Sequence, residues 1–546
     1  MSALPLIRPL QFAAEGSLAA AHAARDARLG SILPSEALHF PSHPAGTMLP
    51  GRAPAGASGG LTAADFTTTG PEARAILDRV LGGDGALVTT GQQPGLFLGP
   101  LYTLYKALSA SELAARLERL WEVPVLPVFW VASDDHDWDE VATARILDAS
   151  GEIRTLHLEP PAGHAGRSVG TAATTEAVRS LLEQVERSLE GLAFTDVYMD
   201  WLKSAYTPGR TLGRAFIETL TGILGGRHFA LIDAGSAAVR RASASVARRA
   251  LIEQAATEVA VREGADRLES AGFPATIPAL PGASCLFMDT AAGRTRLYVR
   301  DGVVSEGRAG PATSLDSVLR TLDRQPELFS PNVALRPVLE SSLMPVAATV
   351  LGPGELGYWA QLPDMFRLFD VAMPALRSRL AWTILEPGPE RALEKLGALP
   401  EDVADGGTVL IERLIADERP AAVEAAMSDL RAALETGLDR LDVAVGTELP
   451  GLRSAAGKAR AEAGKALESF DRSVDRRLRE RLSVMRERAS LAALHLYPEG
   501  IAQERFYTPI TFLARYGPDL VSAIDEAGHS AVWPGGPDVA PMDEPA

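Results

Sequence analysis

Six ionisable side chains crowd seven consecutive positions in VLPVFWVASDDHDWDE (125–140): Asp134, Asp135, His136, Asp137, Asp139 and Glu140. Neighbouring carboxylates orient one ring nitrogen of an imidazole and stabilise its charge, so His136, flanked by Asp135 and Asp137, could serve as general base or hydrogen-bond donor. The carboxylates could also hold a divalent ion. An acidic helix start, with Asp134 or Asp135 as N-cap, explains them equally well, so no metal site is assigned. That reading leaves His136 without a reason.

Two further segments carry chemistry. In TGQQPGLFLGPLYTLYK (90–106), Gly91, Gly95 and Gly99 recur every four residues before a helix opened by Pro100, with Tyr102 and Thr103 in its first turn. Free backbone N–H groups and the dipole at such a start favour a phosphate or carboxylate. Gln92 and Gln93 add uncharged donors and acceptors. The run matches neither GxGxxG nor the Walker pattern, and a tight turn would need the same glycines. In NVALRPVLESSLMPVAATVLGPGELGYWAQL (332–362), Arg336 could clamp a carboxylate in bidentate fashion. Gly352 opens a loop after an apolar strand, and Glu355, Tyr358 and Gln361, at i, i+3 and i+6 on the following helix, could read hydroxyl or amine groups. Core packing for Tyr358 and a first-turn role for Glu355 are the plainer alternatives.

Other motifs are weak. GRSVG (166–170) satisfies GxSxG by letters but lies in a loop rather than at a strand-to-helix elbow. Cys285, in PGASCLFMD, reads as a buried small hydrophobe. No HExxH occurs, and the Arg-rich stretch 472–488 reads as a solvated helix face.

The elements that must position these residues are legible as an α/β pattern. Gly85–Thr90 reads as a strand and Pro100 starts a helix. Val123–Ala132 is apolar without alternation, as in a parallel strand covered on both faces. Val141–Leu158 alternates like exposed strands, Thr174–Leu220 is mainly helical, and Phe229–Asp233 returns as a strand. Ser284–Asp289 and Arg294–Arg300 flank a turn as a hairpin, and the core resumes near Pro345–Leu351. Beyond Pro389, Val423, Met427, Leu430, Leu434, Leu438 and Leu441 form one helical seam and Leu467, Phe470, Val474, Leu478 and Leu482 a second, broken by Gly446–Gly451. The two helices are expected to fold back as an antiparallel pair with apolar surface to spare for a second subunit. A last helix is expected at Pro509–Tyr516. The Pro/Gly/Ala-rich passage Pro41–Gly60 is expected to be an irregular arm, and the tail disordered.

The whole chain has 546 residues, 46% hydrophobic and 23% charged, with a formal charge of −17. Such a balance disfavours nucleic acid and anionic membranes as partners. One cysteine rules out an intramolecular disulfide, and the N-terminal MSALPLIRPLQFAAEG lacks a signal-like apolar stretch, so a cytoplasmic protein without a membrane partner is expected.

Together, TGQQPGLFLGPLYTLYK, FWVASDDHDWDEV, the 332–362 segment and GIAQER (500–505) resemble, in order and spacing, the bacillithiol biosynthesis cysteine-adding enzymes of the BshC family. The resemblance implies a Rossmann-like parallel-sheet core with two connective-peptide-like insertions and an α-helical antiparallel coiled-coil domain used for dimerisation. On that plan the core occupies 1–140, 227–272 and 331–388, the insertions 141–226 and 273–330, the helical arm 389–496, and a C-terminal return and tail 497–546. The implied reaction joins the carboxyl of cysteine to the amine of glucosaminyl-malate. Activation of the carboxyl would need a nucleotide such as ATP, which the sequence does not specify. His136 and Asp135 would then orient the amine or take its proton, and Arg336 or Arg505 would anchor the malate carboxylates. The chain departs from the family pattern at Ser341 and Ser342, where a Gln-Asp pair is more frequent, at Leu98 and at Ser133. An ATP-dependent ligase or nucleotidyl transferase acting on another amino acid or amine, or a non-catalytic thiol-metabolite binding protein, are the alternatives.

Overall fold

A computed structural model describes residues 4–10, 16–40, 60–164, 166–291 and 293–533. The expected irregular arm, but for Gly60, and the expected disordered tail lie outside the described residues.

The core is a six-stranded sheet of Thr67–Thr68 (β1), Ala86–Gln92 (β2), Val125–Val131 (β3), Ala230–Asp233 (β4), Val346–Leu351 (β5) and Ala375–Ser378 (β6), in the order β6-β5-β2-β3-β4-β1. All neighbours are parallel except the edge strand β1, which runs against β4. Every residue of β3 and β5 is buried, which is why these strands read as unbroken apolar runs. From β2 the chain moves outward through β3 to β4, then returns to place β5 on the other side of β2. Strand order thus reverses between β2 and β5, and the crevice beyond the carboxyl ends there is where open α/β sheets bind ligands.

The strand expected to end at Thr90 continues to Gln92, because Gly91 pairs with Trp130 and Gln92 with Val131. Gly91 is thus a strand residue rather than a loop glycine. A Cβ there would lie 2.8 Å from the Trp130 carbonyl oxygen. The helix after β2 runs over Tyr102–Trp121 (α1), that before β5 over Arg336–Leu343 (α2), and that after β5 over Pro353–Trp359 (α3).

Between β3 and β4 lie a hairpin, Thr143–Leu147 with Ile153–His157, and the helices Ala177–Leu189, Thr195–Ala205 and Leu212–Ile223. Between β4 and β5 lies a five-stranded antiparallel sheet whose central hairpin pairs Ala283–Thr290 with Gly293–Arg300.

Ile384–Gln503 forms a separate compact unit. Its two long helices, Ala421–Glu448 (α4) and Arg453–Arg481 (α5), are antiparallel: Arg460 of α5 reaches Asp439 at 2.6 Å and Asp442 at 2.8 Å, while Arg431 pairs with Asp471. The break falls at Leu449–Leu452, later than Gly446, since an interior glycine costs a helix only about 1 kcal/mol whereas Pro450 forces Leu449 out of helical geometry. Met427, Leu478 and Leu482 are buried, while Leu430, Leu441 and Phe470 remain 51%, 42% and 51% exposed.

Candidate active site

A cavity of about 550 Å³ opens over the carboxyl ends of β2, β3 and β5. Its floor comes from Gly91, Gln92 and Gln93 at the end of β2, one wall from Asp134, Asp135, His136 and Glu140 after β3, and the opposite wall from Gly352–Glu355, Tyr358 and Arg336. Tyr102, Lys106, Arg379 and Arg505 close one side, and Phe287, Arg294 and Arg296 of the antiparallel sheet close another.

The loop after β3 is braced from both ends. Gly170 N–H donates to the Ser133 carbonyl at 2.9 Å and Val169 N–H to the Asp135 carbonyl at 2.6 Å. Ser133 Oγ in turn donates to Asp233 and accepts from Gly235 N–H. A Cβ on Gly170 would sit 2.2 Å from Ser133 Cβ, so only glycine lets the two backbones meet. The GRSVG stretch is therefore a clasp on the acidic loop and no nucleophile elbow.

Within that loop Asp135 accepts from the His136 backbone N–H at 2.7 Å and from Gln93 Nε2 at 3.0 Å. Burial works against its charge, but the contact with the His136 ring, these two hydrogen bonds and nearby Arg294 hold its carboxyl well below the usual range. Glu140 accepts from Gln93 at 2.6 Å, and burial with the charges of Asp135 and Asp137 pushes its carboxyl up. The His136 Nδ1 lies 3.3 Å from Asp135 and 3.1 Å from Arg294 Nη1.

On the opposite wall Lys106 Nζ, almost wholly buried, donates to the Gly91 carbonyl at 2.7 Å and Gln92 Oε1 at 2.9 Å, and lies 2.5 Å from Glu355 Oε2. Burial lowers its amine below the ordinary lysine value against the pull of Glu355. Glu355 also accepts from the Gly352 N–H at 2.8 Å, capping α3. Arg336 donates to Glu340 at 2.9 Å and to the Tyr358 hydroxyl at 2.5 Å. Burial pushes the Tyr102 and Tyr358 phenols up to about 12, so both present neutral O–H groups. Arg379 forms a buried bidentate pair with Glu504 at 2.6 and 2.7 Å, which fixes Arg505 beside it. Arg296 and Arg505 line the cavity without an ion-pair partner among the described residues.

Of the residues expected from sequence, the cavity gathers Asp135, His136, Gly91, Gln92, Gln93, Tyr102, Arg336, Gly352, Glu355, Tyr358 and Arg505. Five do not line it. Asp137 caps the short helix Trp138–Val141, accepting from Glu140 N–H at 3.3 Å. Gly95 and Gly99 close a turn in which a Cβ on Gly95 would meet Gly99 Cα at 2.8 Å. Phe97 holds a left-handed conformation there, its N–H donating to Tyr206 Oη at 2.9 Å. At the start of α1, Leu101 N–H is bound to the Tyr507 carbonyl at 2.8 Å and Thr103 is buried, while Tyr102 and Lys106 face the cavity. Gln361 lies beyond the end of α3, where its buried amide bridges Val261, Thr276 and Ile277. Sequence reading missed Lys106, Arg294, Arg296 and Arg379, and it named Asp134 and Glu140 in the acidic run without giving either a separate role. Of the missed residues only Lys106 fell within a segment already singled out.

Among the described residues no group of three or more His, Cys, Asp or Glu side chains is placed to hold a metal ion, and no helix is long and apolar enough to cross a membrane. Cys285 is buried, away from the cavity lining.

A parallel sheet with a polar cavity at its switch point, joined to an antiparallel helical hairpin, defines an α/β enzyme of Rossmann-like type with a coiled-coil appendage. The model for "Bacillithiol biosynthesis BshC, N-terminal Rossmann-like domain" matches residues 63–380 and that for the "C-terminal coiled-coil domain" matches 382–531. The chain belongs to the BshC family. It is 30% identical over 470 residues to the "Putative cysteine ligase BshC" of Symbiobacterium thermophilum, covering 83% of this chain and 84% of that protein. The proteins of the same name from Heliobacterium modesticaldum and Salinibacter ruber are 31% identical over 461 residues (81% and 80% covered) and 29% over 445 residues (81% of each).

Proposed function

We propose that this chain is a ligase of bacillithiol biosynthesis, joining the carboxyl group of L-cysteine to the amine of glucosaminyl-malate. The observation that carries the reading is the division of the cavity. An imidazole and carboxylates stand on one wall, suited to an amine, and guanidinium groups line the others, suited to carboxylates and phosphates. Arg505, free of a carboxylate partner among the described residues, anchors malate. Arg336, His136 and Asp135 complete the contacts, with Gln93 tying Asp135 and Glu140 into one face. Because an amide does not form from a free carboxylate in water, cysteine is activated first, with ATP the fitting donor. Its transferred group leaves as the nitrogen–carbon bond forms.

The site excludes the protein's own thiol from the chemistry, since Cys285 is buried elsewhere. The apolar side chains left exposed on α4 and α5 support assembly as a homodimer through this arm, in the cytoplasm. Mass spectrometry of low-molecular-weight thiols tests the function. A strain lacking this chain is expected to lose the cysteine conjugate and accumulate glucosaminyl-malate, and unchanged thiol content would refute it.

A further inference from the structure

Arg294 stands on the antiparallel sheet between β4 and β5, yet reaches across to the acidic loop. Each of its three nitrogens has a partner: Nε donates to Ser330 Oγ at 2.9 Å and Nη2 to the Pro331 carbonyl at 2.8 Å, and Nη1 lies 3.1 Å from His136 Nδ1. Its guanidinium also stacks on Phe287, 4.0 Å from the ring centroid, which limits its freedom to swing away. A guanidinium has no acceptor and keeps its protons at any working pH, so the imidazole nitrogen facing it must offer a lone pair.

The competing partner for Nδ1 is Asp135 Oδ1 at 3.3 Å. That carboxylate is already satisfied by shorter bonds, from the His136 backbone N–H to Oδ1 at 2.7 Å and from Gln93 to Oδ2 at 3.0 Å. Placing a proton on Nδ1 would gain a long bond to Asp135 and turn one N–H of Arg294 against another. Leaving Nδ1 bare satisfies both residues.

We infer that Arg294 is a positioning residue that fixes neutral His136 with its proton on Nε2, so that His136 meets the substrate as a hydrogen-bond donor and not as the general base. Resting on the ligase reading, the acceptor is the acyl oxygen of activated cysteine, where negative charge builds as the amine nitrogen adds. The proton that the amine sheds goes to a carboxylate of the same cavity, Glu140. This assignment also gives the antiparallel sheet a part in the reaction, because its hairpin decides which nitrogen of a residue on the core loop carries hydrogen.

The test has a spectroscopic and a kinetic arm. In histidine-labelled full-length protein without substrate, at about pH 8, above the ordinary imidazole range, nitrogen NMR is expected to show His136 Nδ1 as an unprotonated, pyridine-like nitrogen. The signal is assigned by its loss in His136→Gln. Arg294→Met should mix the tautomers. A protonated Nδ1 in the wild-type protein, or an unchanged tautomer in Arg294→Met, overturns the inference. Because no substrate is present, this arm stands even if the ligase reading fails. In the kinetic arm, His136→Ala should lower kcat by about 10²-fold or more. His136→Gln, whose amide N–H can occupy the place of Nε2–H, should recover at least a tenth of wild-type kcat. Equal loss in both variants, as a missing base requires, overturns the donor role.

Discussion

Lys106 and Glu355 meet 2.5 Å apart, tying the helix after β2 to the helix after β5 across the switch point of the sheet. The two ends of the pair are unequal, for the Lys106 side chain is 3% exposed and that of Glu355 is 21%. Glu355→Leu leaves a buried ammonium with only the neutral acceptors Gly91 and Gln92 and should destabilise by about 3 kcal/mol or more. Lys106→Met should cost less, because Glu355 keeps water and the Gly352 N–H. Urea unfolding midpoints of the two variants check the order.

Arg336 and Arg505 line the same cavity but answer to different demands. Arg336 neutralises Glu340, whose side chain is 2% exposed, so Arg336→Ala should cost about 3–5 kcal/mol of stability. Arg336→Ala/Glu340→Ala should recover much of it. Arg505→Ala should leave the unfolding midpoint nearly unchanged and raise KM for glucosaminyl-malate about tenfold or more, as loss of a charge-assisted bond of 1.5–3 kcal/mol implies. Steady-state kinetics beside denaturation separates the two.

Gly170→Ala forces a methyl group against Ser133, whose Cα would lie 2.7 Å from it. The acidic loop must move, and a displacement of about 1 Å is enough to lower kcat/KM by about 10²-fold. Circular dichroism should remain native while activity falls. Gly170→Ala with unchanged kinetics would show that the clasp does not set the position of His136.

Phe470 and Leu430 are exposed on the long helices. Replacing both with Glu should convert a dimer to monomer in size-exclusion chromatography with light scattering, while secondary structure is retained. A wild-type protein that elutes as monomer at micromolar concentration would remove the dimer from the proposed function.

His22 is buried, and burial together with the charge of Arg377 pushes its imidazole down to about 4 from 6.5, against the hydrogen bond of the Leu376 carbonyl. The unfolded chain then binds a proton between these values and the folded chain does not. The contribution is therefore fully present above pH 6.5 and lost as pH falls towards 4, by up to about 3 kcal/mol. His22→Gln should flatten the fall in stability between pH 7 and pH 4.5, as unfolding midpoints at the two values will show.

Much of the core was legible because β3 and β5 are covered on both faces, and a strand so placed has no polar side to disguise it. The acidic loop, the 352–355 turn and GIAQER were also legible, since each puts unusual residues directly after such a strand or in a recognisable run. Helical spacing misled at Gln361, because α3 ends at Trp359 and the chain turns before the third position of the expected face. It misled at Gly95 and Gly99 because the buried Phe97 and Leu98 pull that turn under the sheet end rather than over it. Arg294, Arg296 and Arg379 were invisible for another reason. A single arginine in a strand or at its end looks like any solvated charge until the fold brings Phe287, His136 or Glu504 against it.

The pair Arg379–Glu504 sets a timetable for the site. Arg379 directly follows the last strand of the parallel sheet, but its carboxylate partner Glu504 and the neighbouring Arg505 are synthesised only after the whole of Ile384–Gln503. Until then the guanidinium that is 2% exposed in the finished protein lacks its bidentate carboxylate, Glu504. A chain terminated anywhere within the arm therefore carries nearly every side chain that lines the cavity but lacks Glu504 and Arg505.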